Sequence, residues 1–171
     1  KEREQDTATM DIPVLVSEDK TRRYYIDVLL KEAGWDNLQY GRDLEYKVQG
    51  MPTSTNSTGI GYVDYVLWDD NGEALAVVEA KGTSHDPTKG KHQAKLYADC
   101  LQAQSKIAQR PVIYYSNGFK TFIWDDLFYA PREIQGFHTK DELKYIIQRR
   151  RTRLNLNNSE PNLEIAGKGR P

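Results

Sequence analysis

The tripeptide Glu79-Ala80-Lys81 closes an uninterrupted apolar run, Leu75-Ala76-Val77-Val78. On an extended backbone an acid and an amine two residues apart project to the same side, about 7 Å from each other along the chain. Ending a buried strand in such a pair is costly unless the charges are neutralised or used. A second carboxylate, Asp64, lies within Tyr62-Val63-Asp64-Tyr65-Val66-Leu67-Trp68, another run of strand formers. The two runs flank Asp69-Asp70-Asn71-Gly72-Glu73, and an Asn-Gly pair between strand formers predicts a hairpin. Antiparallel pairing centred on Asn71-Gly72 sets Asp64 opposite Glu79, because 64 and 79 sum to the same value as 71 and 72.

Two carboxylates on adjacent strands repel unless a cation lies between them, and a hard divalent ion with oxygen ligands meets that need, Mg2+ first and Mn2+ as its substitute. Such an ion polarises a phosphodiester oxygen and lowers the pKa of a bound water, while a neighbouring lysine orients or helps deprotonate that water. The set Asp64, Glu79 and Lys81 is therefore suited to hydrolysis without a covalent intermediate. Glu-x-Lys alone carries little information, since Glu45-Tyr46-Lys47 and Glu142-Leu143-Lys144 match it too. The competing reading is a surface salt bridge at a sheet edge, and the pattern leaves both open. His85, His92 and His138 fit no standard zinc spacing, which disfavours a histidine metal site.

The elements that must position these residues are legible in outline. A first helix is expected from Ser17 as N-cap, with Glu18 and Asp19 in its first turn, apolar positions Ile26, Leu29, Leu30 and Ala33, and a stop at Gly34. Gly50 to Gly61, rich in Thr, Ser, Asn and Gly, reads as a long loop, preceded by a charged stretch from Arg42 to Lys47. A helix is expected from about Thr88 to Ile107. It places Gln93 and Tyr97 on one face, either as ordinary helix surface or pointing at the end of the Glu79 strand. Pro111 to Ser116, Asn117-Gly118 and Phe119 to Trp124 form a second expected hairpin, so that strand, helix, strand makes a right-handed parallel crossover. Thr139-Lys140-Asp141-Glu142 is a capping box opening a last helix. The expected fold class is α/β, a mixed central β-sheet flanked by helices.

Bulk properties bound the function. A chain of 171 residues suffices for one core, and its single cysteine, Cys100, excludes an internal disulfide and cysteine-bound zinc. No apolar run reaches the ~20 residues that cross a bilayer, so a cytoplasmic protein with no membrane partner is expected. A net charge of -1 argues against bulk coating of nucleic acid but permits a local basic patch. Arg149, Arg150, Arg151 and Arg153 are such a patch or simply a solvated helix end. No Gly-x-x-x-x-Gly-Lys-Ser/Thr loop is present, which disfavours a nucleotide-binding module.

Taken in order, several segments resemble the N-terminal PD-(D/E)XK nuclease domain of the restriction (R, motor) subunit of Type I restriction enzymes. They are Thr21-Arg22, Ile26-Asp27, Ala33-Gly34-Trp35, Gly61 to Leu67, Ala76 to Lys81, Gln93 to Ala98 and Ser116-Asn117-Gly118. Trp124-Asp125-Asp126, Pro131-Arg132-Glu133 and Gly136-Phe137 extend the likeness, which covers roughly Ser17 to Leu154. The resemblance implies a restriction-endonuclease-like core in which Asp64, Glu79 and the Ala80 carbonyl hold the metal, Lys81 is catalytic, and Gln93 and Tyr97 form an accessory motif. It also implies cleavage of double-stranded DNA within a complex containing methylation and specificity subunits, with ATP used only by a translocase beyond this chain. Residues 1–16 are then an N-terminal extension, 17–154 the nuclease domain and 155–171 a linker. Gly82 and Lys20 depart from the pattern, and the second leaves open whether Glu18 or Asp19 assists. A nuclease-like fold that binds DNA or a partner subunit without cutting is the alternative, and the intact set of Asp64, Glu79, Lys81 and Gln93 speaks against it.

Overall fold

The computed structural model describes residues 22–152. Ser17, Glu18, Asp19, Arg153 and the expected terminal segments 1–16 and 155–171 lie outside the described residues. Six strands form one sheet in sequence order: β1 Leu44–Gln49, β2 Ile60–Trp68, β3 Ala74–Ala80, β4 Val112–Ser116, β5 Thr121–Trp124 and β6 Arg132–Ile134. Neighbours pair antiparallel except β3 with β4, which are parallel and joined by a helix. Three helices flank the sheet: α1 Asp27–Glu32, preceded by a wide turn Arg22–Ile26, α2 Lys91–Gln104 and α3 Lys140–Thr152. The expected mixed α/β sheet is therefore present.

The helices divide between the two faces. On one, Ile26 and Leu30 from the first helix and Leu143 and Ile147 from α3 pack against Tyr65, Val78 and Tyr114. On the other, Ala94, Tyr97, Ala98 and Leu101 of α2 cover Val63, Val77, Ile113 and Tyr115. Covered on both sides, β3 is buried at every position, which explains why its sequence is a continuous apolar run rather than an alternation. Cys100 is buried within α2.

Several local expectations require adjustment. The first hairpin closes over the expected segment Asp69 to Glu73, whereas the second closes through a longer turn than a two-residue Asn-Gly loop. In the first, the Asp69 and Gly72 amides donate to Glu73 and Asp69 carbonyls, with a register shift at Leu67/Trp68. In the second, Asn117 to Lys120 form the turn because the Asn117 side-chain oxygen accepts from the Phe119 and Lys120 amides, so β5 starts at Thr121 rather than Phe119. The helix expected from Thr88 to Ile107 is a short 3-10 turn, Pro87–Gly90, followed by α2, which stops when Ser105 becomes extended. The charged stretch before the long loop contains β1, whose residues pair with β2 even though Glu45 adopts a φ of 50°. By contrast, the first helix ends as expected, with Gly34 at φ 84° in the left-handed region that glycine tolerates. The capping box also forms: the Thr139 amide donates to Glu142 Oε2 at 2.8 Å, and the Glu142 amide donates to Thr139 Oγ1 at 3.3 Å.

Candidate active site

The β2–β3 register is the one derived from Asn71-Gly72, since Tyr65 faces Val78 and Val66 faces Val77. One step further along the ladder, Asp64 reaches the end of β3, where its Oδ2 accepts the Ala80 amide at 2.7 Å. That bond fixes one carboxylate beside the other, because Glu79 precedes Ala80 and is only 2% exposed. Lys81 continues the pairing beyond β3, its amide donating to the Ser116 carbonyl at 2.8 Å. Its ammonium donates to Glu79 Oε1 at 2.7 Å and to Gln93 Oε1 at 3.4 Å. Gln93 Nε2 in turn donates to the Tyr97 hydroxyl at 2.7 Å. The four-residue spacing on α2 thus faces the strand end rather than solvent.

Asp64, Glu79, Lys81, Gln93 and Tyr97 therefore converge on one place. The Glu79–Lys81 pair is a salt bridge, but neither at the surface nor at a sheet edge: its side chains are 3% and 17% exposed and stand at the end of an interior strand, Lys81 just past it. A buried ion pair is weak support for stability, because desolvation offsets most of the attraction. Burial pushes the Tyr97 phenol up, against the Gln93 hydrogen bond, and the charges of Glu79 and Asp64 push it further up. The hydroxyl accordingly stays protonated through the neutral range and is available as a donor.

The donor set suits a hard cation. Two carboxylates and the Ala80 carbonyl offer only oxygen, and magnesium commonly takes one or two carboxylates and keeps several waters. The histidines do not compete. His138 lies against Tyr114, whose hydroxyl is 2.8 Å from Nδ1, while His85 and His92 are exposed. Among the described residues no group of three or more His, Cys, Asp or Glu side chains is placed to hold a metal. The arginines of α3 belong to the opposite end of the sheet, where Arg150 pairs with Asp125 at 3.1 Å and Arg149 donates to the Tyr129 hydroxyl at 3.3 Å.

Two glycines that the sequence reading left without a role shape the site. A Cβ on Gly90, the last residue of the turn before α2, would stand 2.9 Å from Glu79 Cγ and 3.4 Å from Lys81 Cε. A Cβ on Gly61 would stand 2.7 Å from Tyr97 Cε1. A glycine interrupting a helical pattern, or inside a strand, is the available signal of such close approach.

The search of solved structures finds a fragment of a candidate HsdR subunit of a type I restriction enzyme from Vibrio vulnificus YJ016, with a TM-score of 0.57 and 26% identity over 79% of this chain. This chain covers 26% of the length of that one. No protein-family model and no curated protein matches the sequence. The chain is thus similar in sequence and fold to part of a restriction-subunit structure. Among the described residues, no helix is long and apolar enough to cross a membrane.

Proposed function

We propose that the chain is a magnesium-dependent endonuclease domain of PD-(D/E)XK type that hydrolyses DNA phosphodiester bonds as part of a type I restriction complex. The observation that carries the reading is the convergence at one buried strand end of Asp64, Glu79, Lys81 and Gln93, in a fold similar to an HsdR fragment. Asp64, Glu79 and the Ala80 carbonyl would hold Mg2+ or Mn2+. When bound, the ion supplies charge neutralisation at the phosphoryl oxygens and a more acidic water.

The remaining work falls to the chain. Lys81, tethered between Glu79 and Gln93, is placed to hold a water at its Nζ, take part in removing its proton and counter charge developing on the phosphate. Gln93 limits where that ammonium can sit, and Tyr97 fixes the Gln93 amide through the 2.7 Å bond. The Ala80 amide stops the Asp64 carboxylate from rotating away. Duplex DNA as substrate, methylation and specificity subunits as partners, ATP use by a separate translocase and a cytoplasmic location belong to the same proposal.

The test is plasmid cleavage by the assembled enzyme carrying Asp64→Ala, Glu79→Ala or Lys81→Ala. Each should lower the rate by about 10²–10⁴-fold, the range for losing a group that handles a proton or the charge in the transition state. ATP hydrolysis should persist. Cleavage by the Lys81→Ala enzyme at the unaltered rate refutes the assignment.

A further inference from the structure

The end of the sheet that holds Lys81 also carries exposed aromatic residues that the proposed chemistry does not use. Phe119 sits at the tip of the β4–β5 turn, 61% exposed, and Tyr24, beside Tyr25 on the first helix, is 61% exposed as well. Phe119 does not wave freely: its ring lies against Tyr25, with centroids 4.9 Å apart and planes tilted by 51°. The turn beneath it is tightly bonded. Asn117 Oδ1 accepts the Phe119 amide at 3.1 Å and the Lys120 amide at 2.8 Å, Ser116 Oγ accepts the Gly118 amide at 3.0 Å, and Asn117 Nδ2 donates to the His85 carbonyl at 3.0 Å. The last bond ties the turn to the loop between Lys81 and α2.

A single exposed apolar ring is ordinary on a protein surface; Phe119 differs in being braced by Tyr25 on a bonded turn at the same end of the sheet as Lys81. The charges around it select the ligand. Hydrogen bonds from Thr88 first, and the charges of Lys89 and Lys120 to a lesser extent, hold the Asp86 carboxyl low, and Lys120 follows Phe119 directly in the turn. An exposed aromatic ring followed by a lysine, at the end of the sheet that holds Lys81, matches a nucleobase attached to its phosphates, because every base offers a π-face and stacking tolerates sequence.

We infer that Phe119, braced by Tyr25, is a stacking post for an unpaired nucleobase of the strand that enters the Lys81 end of the sheet. This rests on the nuclease reading for the identity of the strand. The faces of bases within an intact duplex are already covered by their neighbours, so the post takes a base from a single-stranded or locally opened stretch. Its position three residues beyond Ser116, whose carbonyl is bonded to the Lys81 amide, puts stacking and hydrolysis on the same end of the sheet. The first helix supplies Tyr25 from one face, and α2 supplies Gln93 from the other.

The experiment is titration of the 171-residue chain into a short single-stranded oligonucleotide containing 2-aminopurine, followed by fluorescence, with an intact duplex of the same sequence alongside. The chain should quench the single strand and bind it more tightly than the duplex. Phe119→Ala should weaken binding about tenfold and abolish the quench, in keeping with the loss of one base–aromatic stack. Phe119→Trp should restore both, whereas Phe119→Leu, which keeps apolar bulk without a π-face, should not. An equal quench by Phe119→Ala, an equal effect of Trp and Leu, or no quench by the parent chain at saturating protein overturns the inference. Lys81→Ala separates it from the nuclease reading: that variant should keep the quench while losing cleavage in the assembled enzyme. Retained cleavage would remove the catalytic assignment and leave the stacking post to be judged by the fluorescence alone.

Discussion

Gly90→Ala isolates the geometry of the site from its chemistry, because it removes no ligand, no charge and no hydrogen-bonding group. The backbone tolerates the change: Gly90 has φ -79° and ψ -15°, in the helical region that alanine prefers. The difficulty lies in space. The new methyl would stand 2.9 Å from Glu79 Cγ and 3.4 and 3.5 Å from two Lys81 carbons, whereas apolar carbons rest at about 3.5–4.0 Å. Relief therefore needs a displacement of about 0.6–1.1 Å by those distances. Since Glu79 is buried and bonded to Lys81 at 2.7 Å, the movement falls on both groups at once. Overpacking of this kind costs about 1–3 kcal/mol of stability, partly offset by up to about 1 kcal/mol from replacing glycine in a helical conformation. A misplacement near 1 Å can cost about 10²-fold in rate. The expected outcome is an enzyme that melts within several degrees of the parent but cleaves plasmid about a hundredfold more slowly, with weakened Mg2+ binding by calorimetry. Parent-like cleavage and Mg2+ affinity in a folded Gly90→Ala protein would show that Glu79 and Lys81 need not stand where they do.

Gln93→Ala and Tyr97→Phe should each slow cleavage by the assembled enzyme while divalent-ion binding measured by calorimetry persists, because an amide and a phenol are poor ligands for magnesium beside carboxylates. Loss of ion binding in either variant would place them among the ligands instead. Thr139→Ala should destabilise the chain by about 0.5–2 kcal/mol near neutral pH through loss of the helix cap. The Thr139 amide first and its hydroxyl second hold the Glu142 carboxyl below its ordinary 4.5; the variant keeps the amide, so only the hydroxyl's share is present above 4.5 and fades as pH falls through the lowered value. The stability difference between parent and variant in denaturant titrations should consequently narrow in part as pH falls below 4.5, and a constant difference would show that the Thr139 hydroxyl bond to the Glu142 carboxylate contributes nothing.

The sequence carried the site further than it carried the fold around it. Asp64, Glu79 and Lys81 could be aligned because strand periodicity and one turn centre determine which residues meet, and neither depends on distant contacts. The register follows the turn centre at Asn71-Gly72 as far as Leu67, and only Trp68 shifts, to face Ala74. β1 was obscured by its own composition: Leu44-Glu45-Tyr46-Lys47-Val48-Gln49 is half polar, and only Val48 is fully covered. β6 is three residues long with two exposed, too short to leave a periodic trace. Gly61 and Gly90 could be flagged as unusual from the chain, but what each makes room for is a tertiary fact. Phe119 likewise reads as part of a strand until the Asn117 side chain claims its amide.

Charge distribution reconciles a chain of net charge -1 with the polyanionic substrate proposed for it. Strand β3 runs for seven residues, so the two ends of the sheet are separated by roughly 20 Å, beyond the screening length of about 8–10 Å at physiological salt. At the end remote from Lys81, acids and bases cancel in pairs: Asp69 with Lys144 at 2.7 Å, Asp70 with Lys140 at 2.7 Å, Asp126 with Arg110 at 2.5 Å and Asp125 with Arg150 at 3.1 Å. Their contribution to the formal charge is almost nil, and at that distance they neither attract nor repel a strand at the site. At the Lys81 end, Lys81 stands with Asp64 and Glu79, and Lys89 and Lys120 act on Asp86, charges that offset one another until, under the proposed function, a divalent ion joins the carboxylates. Loading the ion would thus both complete the hydrolytic set and turn this end of the molecule positive, coupling attraction of the substrate to readiness for chemistry.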